Sequence, residues 1–189
     1  MLELQVIIAS TREGRHGASI GAWFLDVART HGKFNVELVD LADVDLPLLD
    51  EPKHPRFKQY EHEHTKAWSA IVSRADAYVF VTPEYDFSAP ASLLNALQYL
   101  QKEWAYKAAG FVSYGGVSAG TRGVQMSKQT VTALKMMPMA ETVAIPFFPQ
   151  YIDSETGAFD PGDVQVKAGG VMLDELLKWA AALKPLRST

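Results

Sequence analysis

The chain has 189 residues, with 48% hydrophobic and 21% charged residues, which is enough for one domain with a full core and ordinary for a globular protein. A net charge of −4 with no long basic run argues against nucleic-acid binding, and the absence of cysteine excludes disulfides, thiolate metal sites and cysteine nucleophiles. No apolar stretch approaches the ~18–20 residues a membrane span needs, and a strand begins within a few residues of Met1 with no space for a signal peptide, so a soluble, cytoplasmic domain is expected.

Leu4–Ala9 is a short apolar run, the expected first and central strand. It opens into the loop from Ser10 to Gly17, and a helix is expected from about Ala18 to Thr30, with Ile20, Trp23, Phe24 and Val27 on one buried face. Phe34–Asp40 alternates apolar and polar residues and reads as a second strand, so the three elements form a βαβ unit and imply a parallel sheet. Leu41–Tyr60 carries Pro47, Pro52 and Pro55 and is longer than a usual connection, as a lid or a partner-contacting loop would be. A helix from about His62 to Ser73 precedes the apolar, β-branched and aromatic run Tyr78–Val81, a buried third strand that stops at Thr82-Pro83.

Ser88 or Ala89 then caps a helix that has Pro90 in its first turn and runs to about Leu100. Gln101–Ala108 reads as a turn, Ala109–Tyr114 as a fourth strand, Thr121–Lys135 as a helix and Glu141–Ile145 as a fifth strand. Pro146–Pro161 is a second long loop, and an amphipathic helix from about Gly162 to Lys184 closes the chain. Five strands alternating with helices give a doubly wound α/β sandwich, and no repeat or linker divides residues 1–189.

Three loops follow strands of this sheet and would meet at its carboxyl edge, where open α/β sheets bind ligands. The first offers the hydroxyls of Ser10 and Thr11, the charges of Arg12 and Arg15 and a helix N-terminus, the parts of an anion site. It lacks both G-x-G-x-x-G and G-K-[ST], so a single terminal phosphate, as on a mononucleotide, fits better than a dinucleotide or a triphosphate. Asp40 ends the second strand and, without the glycine fingerprint, reads as a capping or turn residue. The second loop, Pro83-Glu84-Tyr85-Asp86-Phe87-Ser88, has a polar and aromatic tip suited to a flat, hydrogen-bonding ligand. The third, Ser113–Gly120, has three glycines that admit close backbone approach. His54, His62 and His64 raise a metal site, but residues two apart on a helix diverge, and none is assigned.

Ser10-Thr11-Arg12 with Arg15, Thr82-Pro83-Glu84-Tyr85 with Ser88 and Pro90, Leu94-Asn95-Ala96, Glu103-Trp104 and Val112-Ser113-Tyr114-Gly115-Gly116 together resemble the NAD(P)H-dependent FMN reductase family, which has the flavodoxin-like fold and also includes quinone, azo-dye and chromate reductases. The resemblance spans roughly residues 4–145. It implies a five-stranded parallel sheet of order 2-1-3-4-5, bound FMN, NADPH or NADH as donor, and a small electron acceptor served in ping-pong fashion. By the same resemblance, Ser10, Thr11, Arg12, Arg15, Ala18, Ser19 and Ile20 would hold the FMN phosphate. Pro83, Glu84, Tyr85, Asp86 and Ser88 would hold the ring and ribityl chain, with Ser113, Tyr114, Gly115 and Gly116 closing the other side. The flavin carries the redox chemistry, so no side chain is required as a nucleophile.

Asp86 stands where this family usually has asparagine, which places a negative charge near a cofactor that becomes anionic on two-electron reduction. The family also implies a homodimer, or a dimer of dimers, formed by the long loop and the helix after the Pro-Glu-Tyr turn; Phe57, Trp104 and Tyr106 are interface or core aromatics. Two other readings remain open from the residues: a flavodoxin-type electron carrier and a flavin-free binding domain on the same fold.

Overall fold

The structure is a computed structural model and describes residues 1–188. Strand β1 (Leu2–Ile8) pairs in parallel with β2 (Phe34–Asp40) on one side and β3 (Ala77–Pro83) on the other, and β4 (Ala108–Gly115) continues the parallel sheet beyond β3. Every residue of β3 is buried. That is why its sequence is a continuous apolar run: both faces of a central parallel strand are covered.

Alternation along the strands sends side chains to two cores. Val79, Val81 and Val112 pack with Ile20 and Phe24 of α1 (Gly17–His31) and with Met172 and Leu173 of α6 (Asp163–Leu183). Tyr78, Phe80 and Phe111 face the other way, against Trp68 of α3 (Glu63–Ser73), Leu93 of α4 (Ala91–Gln98) and Val124 of α5 (Thr121–Ala133). Trp104 belongs to this second core: it is fully buried, meets the Tyr78 ring at 4.9 Å and donates its indole N–H to the Leu97 carbonyl. Of the three aromatics considered for an interface, only Phe57 is more than half exposed.

The strand order β2-β1-β3-β4-β5 is the expected one, but the sheet has six strands rather than five. The fifth position is split into β5 (Met137–Pro138) and β6 (Val143–Pro146), both parallel to β4. Ala109 pairs with Pro138 and Val112 with Val143, so five residues on this edge span three on β4. The two extra residues interrupt the ladder in the manner of a bulge, beside a proline that has no amide to contribute. The segment after β2 is less irregular than expected. It begins with a one-turn helix, α2 (Leu41–Val44), capped by the Asp40 carboxylate through the Ala42 amide at 2.9 Å, and later makes a 3₁₀ turn at Pro55–Phe57. His62 lies outside α3 as its N-cap, in extended backbone, so its ring stacks on that of His64 at 5.2 Å instead of diverging from it. No helix among the described residues is long and apolar enough to cross a membrane.

Candidate functional site at the carboxyl edge of the sheet

The β1–α1 loop presents an open helix end. No side chain caps α1 and no acidic residue lies in its first turn, so the amides of residues 17–19 have no intrahelical acceptor and the positive end of the helix dipole is uncompensated. Gly17 is required here. A Cβ at this position would lie 2.3 Å from Ser10 Oγ and 3.0 Å from the Tyr114 hydroxyl oxygen, which themselves stand 3.2 Å apart and are buried. The helix therefore starts tight against the ends of β1 and β4. Burial pushes the Tyr114 phenol up to about 12, so it stays a neutral hydrogen-bonding group.

The two arginines of this loop have different surroundings. Arg15 gives both terminal nitrogens to Asp40, at 2.7 and 2.8 Å, and one of them also to the Ser10 carbonyl at 2.7 Å. Donating to the Asp40 carboxylate raises its already high pKa, and Arg15 fastens the loop to the end of β2. Arg12 is exposed and bridges to the second loop, donating from Nε to the Tyr85 hydroxyl at 3.1 Å.

The second loop is a two-residue hairpin. Tyr85 and Ser88 exchange both backbone hydrogen bonds, at 2.8 and 2.9 Å, and Asp86 and Phe87 between them have φ of 49° and 68°. Glu84 turns away from the tip and caps α5, accepting from the Arg122 side chain at 2.7 Å and from the amides of Arg122 and Gly123. Burial opposes its ionisation, but Arg122, Ser118 and the Gly123 amide outweigh that effect and hold the carboxyl below its usual range. The hairpin, α5 and the third loop thus form one braced unit. In the third loop a side chain on Gly115 would approach the Gly120 amide nitrogen to 3.1 Å, tight enough to push on the loop backbone.

Between these loops lies a cleft of about 530 Å³. Of the residues expected at the site, Arg12, Pro83, Glu84, Tyr85, Tyr114, Gly115 and Gly116 line it. Ser10, Ala18 and Ser19 stand with the open helix end, and Ser19 Oγ donates back to the His16 carbonyl, whereas Thr11 lines a separate recess with Ala42, Ser92 and Asn95. Ile20 is buried in the core with its amide bonded to His16, which leaves it nothing to offer an anion. Asp86 and Ser88 are exposed at the hairpin tip. Ser113 is buried on the sheet face opposite to Tyr114, with its hydroxyl unpartnered among the described residues.

The fourth wall, Phe147-Phe148-Pro149-Gln150, is absent from the sequence reading, as is His16 on the other side. The Phe148 ring meets those of His16 at 5.4 Å and Tyr114 at 5.1 Å, and the Phe147 amide donates to the Gly116 carbonyl. Two adjacent phenylalanines directly after the carboxyl end of the last strand were the available signal.

A flat aromatic and prolyl cleft beside an open helix N-terminus suits a planar ring system carrying a terminal phosphate. The model of the NADPH-dependent FMN reductase family matches residues 2–150. The chain is 40% identical over 136 residues to an NAD(P)H-dependent FMN reductase of Schizosaccharomyces pombe, covering 71% of this chain and 68% of that one. It is 33% identical over 153 residues to an NAD(P)H-dependent FMN reductase of a Nectria species, covering 78% and 76%. In structure it is similar to the flavoenzyme NAD(P)H:acceptor oxidoreductase FerB of Paracoccus denitrificans, with a TM-score of 0.73 at 18% identity over 96% of this chain and 98% of the other. On a match that runs from the first strand into the fourth wall of the cleft, the chain belongs to the NADPH-dependent FMN reductase family.

Proposed function

We propose that this oxidoreductase holds FMN in the carboxyl-edge cleft and works there by a ping-pong cycle. The observation that carries the assignment is the Arg12–Tyr85 bridge, which ties an uncapped helix N-terminus to the lip of a flat aromatic cleft. Bound FMN would take a hydride from NAD(P)H and then pass electrons to a small acceptor such as free flavin, a quinone, an azo compound or a metal oxyanion.

The chain's own residues supply position and environment. The amides at residues 17–19 and the Ser10 hydroxyl meet the phosphate, and Arg12 adds charge and a fork of donors. Arg15 holds the loop rather than the phosphate, because Asp40 and the Ser10 carbonyl occupy it. Pro83, Tyr85 and the backbone at Gly115 and Gly116 set the plane of the ring. Phe147 and Phe148 exclude water from one side, while the open mouth of the cleft leaves room for donor and acceptor in turn.

The Leu48 and Leu49 side chains are exposed beside α4, where Asn95 bonds the Leu49 amide. A second copy of the chain covering them would make the homodimer, and sedimentation gives the mass directly. For the cofactor, FMN titrated into apoprotein is expected to bind with quenching of flavin fluorescence, and Arg12→Ala to weaken it about tenfold or more, the loss of one charge-assisted contact. Equal affinity in the variant removes Arg12 from the phosphate site. Steady-state rates at several acceptor concentrations give parallel double-reciprocal lines for ping-pong turnover, and intersecting lines refute it.

A further inference from the structure

A second concavity opens at the opposite pole, on the amino-terminal edge of the sheet, where Lys107 leads into β4 and α5 gives way to β5. Its volume is about 540 Å³, and its wall carries Lys58, Lys102, Glu103, Lys107, Lys135 and Arg187. Among the described residues, four cations and the buried Lys107 amine thus share this wall with one carboxylate, in a chain whose net charge is −4.

Among the described residues, the nearby carboxylates are already engaged. Glu103 is buried and accepts from the Tyr60 hydroxyl at 3.1 Å and the Ser69 hydroxyl at 2.6 Å, with Lys58 at 3.6 Å. Asp76 takes Lys184 and one terminal nitrogen of Arg187. Lys102, Lys107 and Lys135 have no ion pair among the described residues. The Lys107 ammonium is buried and donates only to neutral groups: the carbonyls of Val72 and Ser73 and the Tyr78 hydroxyl. Arg187 Nε and Nη2 are buried with no acceptor among the described residues. Donors left in that state are costly, and from behind the wall they favour an anion in the concavity through their charge.

The backbone holds three of these residues in place. Lys58, Tyr106 and Lys135, all on this wall, have φ of 53°, 60° and 60°, and the Tyr106 amide donates to the Lys135 carbonyl at 2.9 Å. Lys58 is the left-handed C-cap of the 3₁₀ turn and Lys135 directly follows the C-cap of α5, so these helix ends fix where the two lysines stand on the wall.

We propose that this pole binds a small, multiply charged phosphate compound, a polyphosphate or polyphosphorylated ester, at a site separate from the flavin cleft. The small extent of the concavity favours a small molecule, because a polymer or a membrane surface would meet the remaining acidic surface of the protein. Tyr106 and Leu186 provide apolar wall for the rest of such a molecule.

The test is calorimetric titration of inorganic tripolyphosphate into FMN-saturated protein, so that the flavin phosphate site is already filled. One saturable site is expected. Lys102 and Lys135 are exposed, so their removal spares the fold. The pair Lys102→Gln with Lys135→Gln is expected to weaken binding about tenfold or more, through loss of two charge-assisted contacts. The control pair Lys53→Gln with Lys66→Gln removes the same charge elsewhere and is expected to leave affinity within about twofold, since separated surface charges are screened. No saturable heat, undiminished affinity in the pocket pair, or equal loss in both pairs would each overturn the proposal.

Discussion

At the hairpin tip, two residues occupy left-handed backbone in succession, Asp86 and Phe87, closing the Tyr85–Ser88 pair. That geometry belongs to the primed two-residue turn, which prefers Asn-Gly. Aspartate tolerates it, whereas phenylalanine does so against a steric cost, which its ring offsets by lying 4.0 Å from the Arg122 guanidinium. Asp86 is exposed, so its charge acts on the cleft through water and is partly screened. Asp86→Asn keeps the turn and removes the charge. We expect the variant to bind FMN roughly two- to fivefold more tightly and to show a higher flavin midpoint potential, as for an exposed charge repelling a phosphate and a reduced anion. Fluorescence titration and a redox titration at fixed ionic strength measure the two quantities, and no change in either would refute the charge argument.

The elements show what holds the long segment after β2. Asn95 of α4 donates to the Pro47 carbonyl at 2.7 Å and accepts from the Leu49 amide at 3.0 Å, and the Tyr99 hydroxyl reaches Pro47 and Asp50 at 3.1 Å. This is a docked segment, fastened to the helix that begins just beyond the hairpin. Asn95→Ala removes two of those bonds, at a cost of about 1–2 kcal/mol locally. The change should appear as faster hydrogen exchange at the Leu49 amide, while that of β3 is unchanged; equal exchange at Leu49 would show that the segment does not depend on Asn95. None of this was legible in the sequence, because the partners lie 46–48 residues apart and bond through backbone groups. What periodicity encodes came through: β2 has the expected limits, Phe34–Asp40, and α1, α3, α5 and α6 lie within about two residues of their apolar patterns. The split at β5 and β6 did not, since a bulge changes pairing without changing composition. Loop residues divide the same way. The Pro83–Tyr85 and Gly115–Gly116 parts of the cleft are carried by turn chemistry, but Phe147 and Phe148 sit in a loop where apolar residues have no period to betray them.

Taken whole, the molecule puts the cleft proposed for FMN on the carboxyl edge of the sheet and its unpaired lysines on the amino edge, so the two poles answer to different variables. Lys107 makes the amino pole pH-sensitive. Burial first, and then Arg187, push its pKa from 10.5 down to about 7; Lys58 acts in the same direction, while Asp76 and Glu103 oppose it. Below about 7 the side chain is protonated in both folded and unfolded chains and contributes no slope. Above that, the unfolded chain retains a proton that the folded chain has released, so stability rises with pH until the unfolded lysine titrates near 10.5. The gain is at most about 1.4 kcal/mol per pH unit for one full proton. Tyr99 and Tyr114 set the upper limit: both are pushed up to about 12 by burial, so ionisation of the unfolded phenols near 10.0 works against the fold above that pH. Urea unfolding of the FMN-loaded protein between about pH 7 and 9, inside that window, should therefore show a midpoint that climbs with pH. Lys107→Met retains the buried volume without the titrating nitrogen, and its midpoint should climb measurably less. Equal slopes in the two proteins would mean that Lys107 keeps its proton when folded, and that the pole carries its full charge at neutral pH without any ligand to balance it.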